Sequence, residues 1–139
     1  MLNILAWIVY GITTVGEGGV CDNPEPNTVG VVNEVASLPF IVPKGYELLI
    51  DSLGIEGPGP SSHKGTQVSL TVWEGEKPFI NSRGIISLTS GVSSKQFTGL
   101  KIIIPEGKKV NIRLMNNTPF YWINGWYVQG ELRKPKHSF

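Results

Sequence analysis

One phrase occurs twice in this chain: an apolar run, a proline, one charged residue, a glycine, then a strand-like alternation. It reads "FIVPKGYELLIDS" from Phe40 to Ser52 and "IIIPEGKKVNIRLMNN" from Ile102 to Asn117. The two prolines stand 105 − 43 = 62 residues apart. Each residue type in the phrase restricts the backbone. β-Branched Ile and Val favour strands. Proline has no N–H for a ladder and so ends a strand or marks an edge. Glycine accepts positive φ and lets the chain turn. After the turn Val110, Ile112 and Leu114 alternate with Asn111, Arg113 and Met115, and Tyr46, Leu48 and Ile50 interleave with Glu47 and Asp51. A period of two means a strand with one side buried. Each phrase therefore reads as strand, tight turn, strand, a hairpin-like unit. Two copies suit corresponding corners of one sandwich and are too few for a solenoid or propeller.

Further strand signals fall near 2–15, 28–35, 66–74, 84–89, 96–104 and 120–133, separated by Gly- and Pro-rich turns. No stretch carries helical apolar spacing with caps. The expected fold is a single all-β antiparallel sandwich, jelly-roll-like, of about 8–9 strands. Alternation selects Val68, Leu70, Val72, Val110, Ile112, Leu114, Val128 and Leu132 as one core, and sets Ser69, Thr71 and Trp73 on the opposite side of their strand. "GEGGVCDNPEPN" (16–27) has no strong period and reads as a loop, as does the Pro/Gly/Ser stretch 56–65.

The chain of 139 residues is long enough for one core. Its domain reading is an apolar strand or docking arm at 1–16, a sandwich at 17–133 and a basic tail at 134–139. The first fifteen residues include eleven apolar ones, with no Lys or Arg before Lys44, so a secretory leader with a basic start does not fit. The run is short of the roughly 20 residues of a membrane helix. A strand in the protein's own sheet, an arm on a partner chain and a membrane contact stay open, the last least favoured.

Lys and Arg number 12 against 11 Asp and Glu. A balanced charge argues against a nucleic-acid partner, which needs a basic surface. Cys21 is the sole cysteine, so no intrachain disulfide and no cysteine zinc cluster form. The sequence holds no HExxH, GxSxG or phosphate-loop motif, and His63 and His137 have no motif neighbours. Glu47 with Asp51 offers a carboxylate pair on one strand, Asp22, Asn23 and Glu25 offer oxygen ligands, and Asn116-Asn117-Thr118 matches a glycosylation sequon. None has the surrounding pattern that its chemistry needs. No enzyme activity, cofactor or metal is expected.

The last aromatic cluster, "FYWINGWYVQGELR", holds the remaining candidates. Asn124-Gly125 suits a two-residue hairpin turn. Trp126, Val128, Gly130 and Leu132 are expected inside, with Tyr127, Gln129, Glu131 and Arg133 outside. The candidate partner or ligand surface comprises Trp7, Trp73, Trp122, Asn124, Tyr127 and Gln129. Such rings and amides serve either subunit contact or stacking on a sugar.

The phrases "FIVPKGYELLIDS" and "IIIPEGKKVNIRLMNN", with the later "GWYVQGEL", resemble the small β-sandwich structural proteins of phage and other virions, such as capsid decoration proteins and spike or fibre heads. The resemblance covers about residues 38–132. It implies a non-enzymatic virion subunit that self-associates or docks on capsid or tail proteins, hence a virion location. The alternative is an extracellular carbohydrate-binding sandwich with a glycan as partner.

Overall fold

The computed structural model describes residues 4–26, 28–29, 38–57, 67–75, 82–89, 92–118 and 122–135, with the side chains of 4, 28–29 and 122–124 outside that description. All regular structure among these residues is strand: β1 Ile4–Val15, β2 Val20–Asp22, β3 Thr28–Val29, β4 Phe40–Ile41, β5 Glu47–Glu56, β6 Gln67–Glu74, β7 Ser82–Thr89, β8 Ser94–Phe97, β9 Ile102–Ile104, β10 Lys109–Asn117 and β11 Trp122–Arg133. They form two antiparallel sheets. Sheet A runs β3-β1-β11-β5-β8, with β9 also beside β5; sheet B runs β2-β10-β6-β7, with β4 also beside β10. The expected all-β sandwich is the observed architecture.

The duplicated phrase builds two reciprocal crossings between the sheets, and not hairpins. β4 lies beside β10 in sheet B, and the chain turns at Pro43-Lys44-Gly45 into β5 of sheet A. β9 lies beside β5 in sheet A, and the chain turns at Pro105-Glu106-Gly107 into β10 of sheet B. Both glycines take positive φ, 86° at Gly45 and 78° at Gly107, a region closed to most side chains. Each turn closes on its own proline carbonyl, from Tyr46 N to Pro43 O (3.1 Å) and from Lys108 N to Pro105 O (3.3 Å). The turns also bind each other: Val42 N donates to Lys108 O (3.0 Å) and Gly107 N donates to Val42 O (2.9 Å). Strands on either side of each turn belong to different sheets because proline ends one ladder and the glycine re-aims the chain into the other.

The core lies between the sheets. All eight residues expected there are 3% exposed or less. Ile50, Leu53, Ile55, Ile86, Leu88, Ile104 and Trp126 join them. β5 keeps both its ends facing inward through a register shift opposite Gln129/Gly130, which lets Leu48 and Ile50 point in before it and Leu53 and Ile55 after it. Asn116 sits on the inner side of β10 at the sandwich end. Its amide donates to Val15 O (3.0 Å) and Gly16 O (3.1 Å), and its Oδ1 accepts from Thr118 N (3.1 Å). At 1% exposure this residue joins the sheets, so the sequon asparagine is a buried structural group.

Three further expectations are corrected. Asn124-Gly125 is not a hairpin turn. β11 continues through it, with Asn124 opposite Thr13, and Gly125 between Ile12 of β1 and Glu56 of β5. Partners on both flanks use the backbone groups that a turn would leave unpaired. The strand expected at 96–104 is two strands, interrupted at Gly99, whose φ is 72°. The stretch read as a loop at 16–27 contains β2, paired with β10 from Arg113↔Asp22 to Met115↔Val20. Of the three readings left open for the N-terminal apolar segment, the sheet strand is the one observed within this chain: β1 pairs with β11 over its whole length, Ile4↔Arg133 to Val15↔Trp122. The expected strand at 30–35, most of the 56–65 loop, His63 and His137 lie outside the described residues.

Candidate functional site: the outer face of sheet A

β11 is flanked by β1 and β5, and its consecutive aromatics go to opposite sides. Trp126 enters the core and lies against Gly11 of β1, where an added Cβ would stand 3.0 Å from its ring; its Nε1 donates to Thr13 Oγ1 (2.9 Å). Tyr127 goes outward and lies across Gly54 of β5. A methyl there would stand 1.9 Å from Tyr127 Cε2 and 2.6 Å from Cδ2 and Cζ. The Tyr127 hydroxyl donates to Gln96 Oε1 of β8 (3.2 Å), which fixes the ring's far end.

Register arranges this face in rows. Tyr10, Tyr127, Gly54 and Gln96 form one row across β1, β11, β5 and β8; Ile12, Gly125, Glu56 and Ser94 form the next. Gln129 follows Tyr127 on the same side of β11. Together they line an open groove of about 740 Å³, within the range of about 300–1,000 Å³ typical of ligand pockets. Tyr10 is 38% and Ile12 64% exposed.

The six candidates from the sequence separate. Tyr127 and Gln129 meet in this groove. The backbone of Asn124 adjoins it, while the side chains of Asn124 and Trp122 lie outside the description. Trp7 is not a surface residue: it is fully buried on the inner side of β1, with its ring 5.3 Å from that of Phe40. Trp73 is not exposed either. It lies on the outer side of sheet B, as alternation requires, but is 2% exposed. Thr71 at 2% and Ser69 at 7% are covered with it.

Part of that second cover comes from the segment after β2. Asn23, at φ 50°, accepts from Ile112 N at its Oδ1 (2.9 Å) and donates through Nδ2 to Asn111 Oδ1 (3.0 Å). Asn111 Nδ2 donates to Gly75 O. Asp22 pairs with Arg113 through both carboxylate oxygens, at 2.8 Å for the Nη2–Oδ2 contact. That hydrogen bond raises the Arg113 pKa above its ordinary value, helped by the Asp22 charge and opposed by burial. The guanidinium carbon is 5.4 Å from the Trp73 ring centre, a cation–π distance. Burial first, then the Asp22 charge, push the Cys21 thiol up, away from the reactive thiolate.

The other chemistry considered from the sequence is dispersed. Asp22 and Asn23 are committed to the contacts above. Glu47 pairs with Arg133 (2.8 Å), and Asp51 accepts from Ser52 (3.1 Å), so the two carboxylates have separate partners. Among the described residues no group of three His, Cys, Asp or Glu side chains converges on a metal position. No helix among them is long and apolar enough to cross a membrane. Gln96, Gly54 and Glu56 escaped the sequence reading. Their approach to Tyr127 depends on cross-strand register, which an unpaired strand does not encode; the one local hint was Gly54 inside an otherwise continuous β5 pattern.

No family model matches this chain, and no curated protein matches it. Among solved structures, a chain of the cyanophage Pam1 capsid asymmetric unit aligns at a TM-score of 0.40 and 16% identity, covering 95% of this chain and 84% of that one.

Proposed function

We propose that this chain is a non-enzymatic structural subunit of a virion, which self-associates or docks on a capsid or tail lattice. The observation that carries the reading is the placement of exposed β-branched residues outside the core on both sheets. Ile12 is 64% and Ile103 38% exposed on sheet A; Val20 at 49%, Ile41 at 55% and Ile85 at 52% lie on sheet B. Isolated apolar residues are ordinary on a monomer. Distribution over both sheets suits a subunit with neighbours on more than one side, and the balanced charge places no strong repulsion between copies. The phrase-level resemblance to virion sandwiches supports the same reading.

Sedimentation of the purified protein tests it. A stable trimer or larger assembly, weakened by Ile41→Ser with Ile85→Ser, is the expected result. A monomer at every concentration, alone and with candidate capsid or tail proteins, overturns it.

A further inference from the structure

The groove on sheet A has features that subunit packing does not require. We propose that it is a binding site for a neutral pyranose sugar, stacked on the Tyr127 ring. The ring rests across Gly54, where any larger residue would displace it, and its hydroxyl is tied to Gln96 Oε1 at 3.2 Å. The ring is thus seated on the strand, and half-buried it forms part of the groove lining. An immobilised ring loses little rotamer freedom on binding.

The surroundings select the ligand class. Around this ring stand the exposed side chains of Gln96, Gln129, Glu56 and Ser94, supplied by three neighbouring strands. Amides carry donors and acceptors together, the carboxylate accepts, and the hydroxyl does both. A pyranose has the matching form, with an apolar C–H face for the ring and a rim of vicinal hydroxyls for the polar groups. An aromatic face is electron-rich and favours the slightly positive C–H hydrogens. The β1 wall of the groove is apolar, with Ile8, Tyr10 and Ile12, but its middle is Gly125 beneath Glu56, which sets a carboxylate where a docked protein segment would bury apolar side chains. Of the five exposed residues that support assembly only Ile12 borders this groove, so assembly through Val20, Ile41 and Ile85 of sheet B leaves the site open.

Saturation-transfer NMR of the full chain with cellobiose, maltose, lactose and chitobiose is the test, with solution mass read on the same samples. The expected result is a signal from at least one disaccharide that weakens roughly tenfold or more in Tyr127→Ala, the scale of one lost stacking contact. Tyr127→Phe keeps the ring and loses only the bond to Gln96, so binding falls by about 2–10-fold. Should Tyr127→Ala lower the melting temperature, Gln129→Ala decides: this exposed side chain can be removed without opening the core, and binding drops several-fold if the sugar sits here. No signal from the wild type with any of the four sugars at concentrations on the order of 10 mM overturns the proposal, as does a signal that neither Tyr127→Ala nor Gln129→Ala changes. Because mass and binding are read separately, loss of either leaves the other reading standing.

Discussion

The outer sides of the two sheets differ more than their strands suggest. Sheet B is covered at the centre of its outer side, where Trp73 and Thr71 are each 2% exposed and an Asn23–Asn111–Gly75 chain of hydrogen bonds crosses it, while Val20, Ile41 and Ile85 stay exposed around that centre. Sheet A is open on the corresponding side, with Ile12 at 64% and Tyr10 at 38% above a groove. Both sides obey the same alternation. A period of two says which residues point away from the core, and it does not say whether a second layer covers them. That cover follows from longer-range contacts, such as the left-handed Asn23 that carries the chain across β10.

Substitutions can break or sharpen this contrast. If the covered side of sheet B is a small second core, Trp73→Ala costs about 3–5 kcal/mol in a denaturant melt; a loss below about 0.5 kcal/mol would show Trp73 to be solvated like an ordinary surface residue. Asn111→Ala leaves the Gly75 carbonyl and Asn23 Nδ2 without the bonds they make to Asn111 and costs about 1–3 kcal/mol, read in the same melt. On the open side, Gly54→Ala pushes Tyr127 off β5 and costs about 1 kcal/mol, the low end for overpacking because an outward ring can swing away. That cost disappears in a Tyr127→Ala background if the ring is its cause, which a double-mutant cycle checks. Ile12→Thr is the smallest effect: it changes stability by no more than about 0.5 kcal/mol in the isolated chain, and a larger loss would show that sheet A is covered too.

The sequence carried the fold class and the core because both depend on local chemistry. Val68, Ile112 and Val128 declare their side by alternating with polar neighbours. Pro43 and Pro105 declare the corners by lacking an N–H. What escaped was set by partners distant in the chain. Asn124-Gly125 has the preferences of a turn, yet β1 and β5 on either side hold it extended. Trp7 and Trp73 are both large and aromatic, and no neighbour in sequence reveals that Phe40 meets one and Arg113 the other. Of the site, Tyr127 and Gln129 were legible from alternation, whereas Gly54 and Gln96 gain meaning only once β5 and β8 lie beside β11.

The place of β11 bears on how the chain is made. Ile4 pairs with Arg133, and the same strand holds β5 on its other flank. During translation β1 emerges early and β11 is the last of the eleven strands to leave the ribosome. Until residues 122–133 emerge, β1 and β5 have no strand to join them, and β1 has only the two residues of β3 to pair with. Closing so long a loop makes this a late step. A nascent chain stalled before residue 122 is therefore expected to expose its β1 to chaperones and aggregation, and release of the final strand completes sheet A.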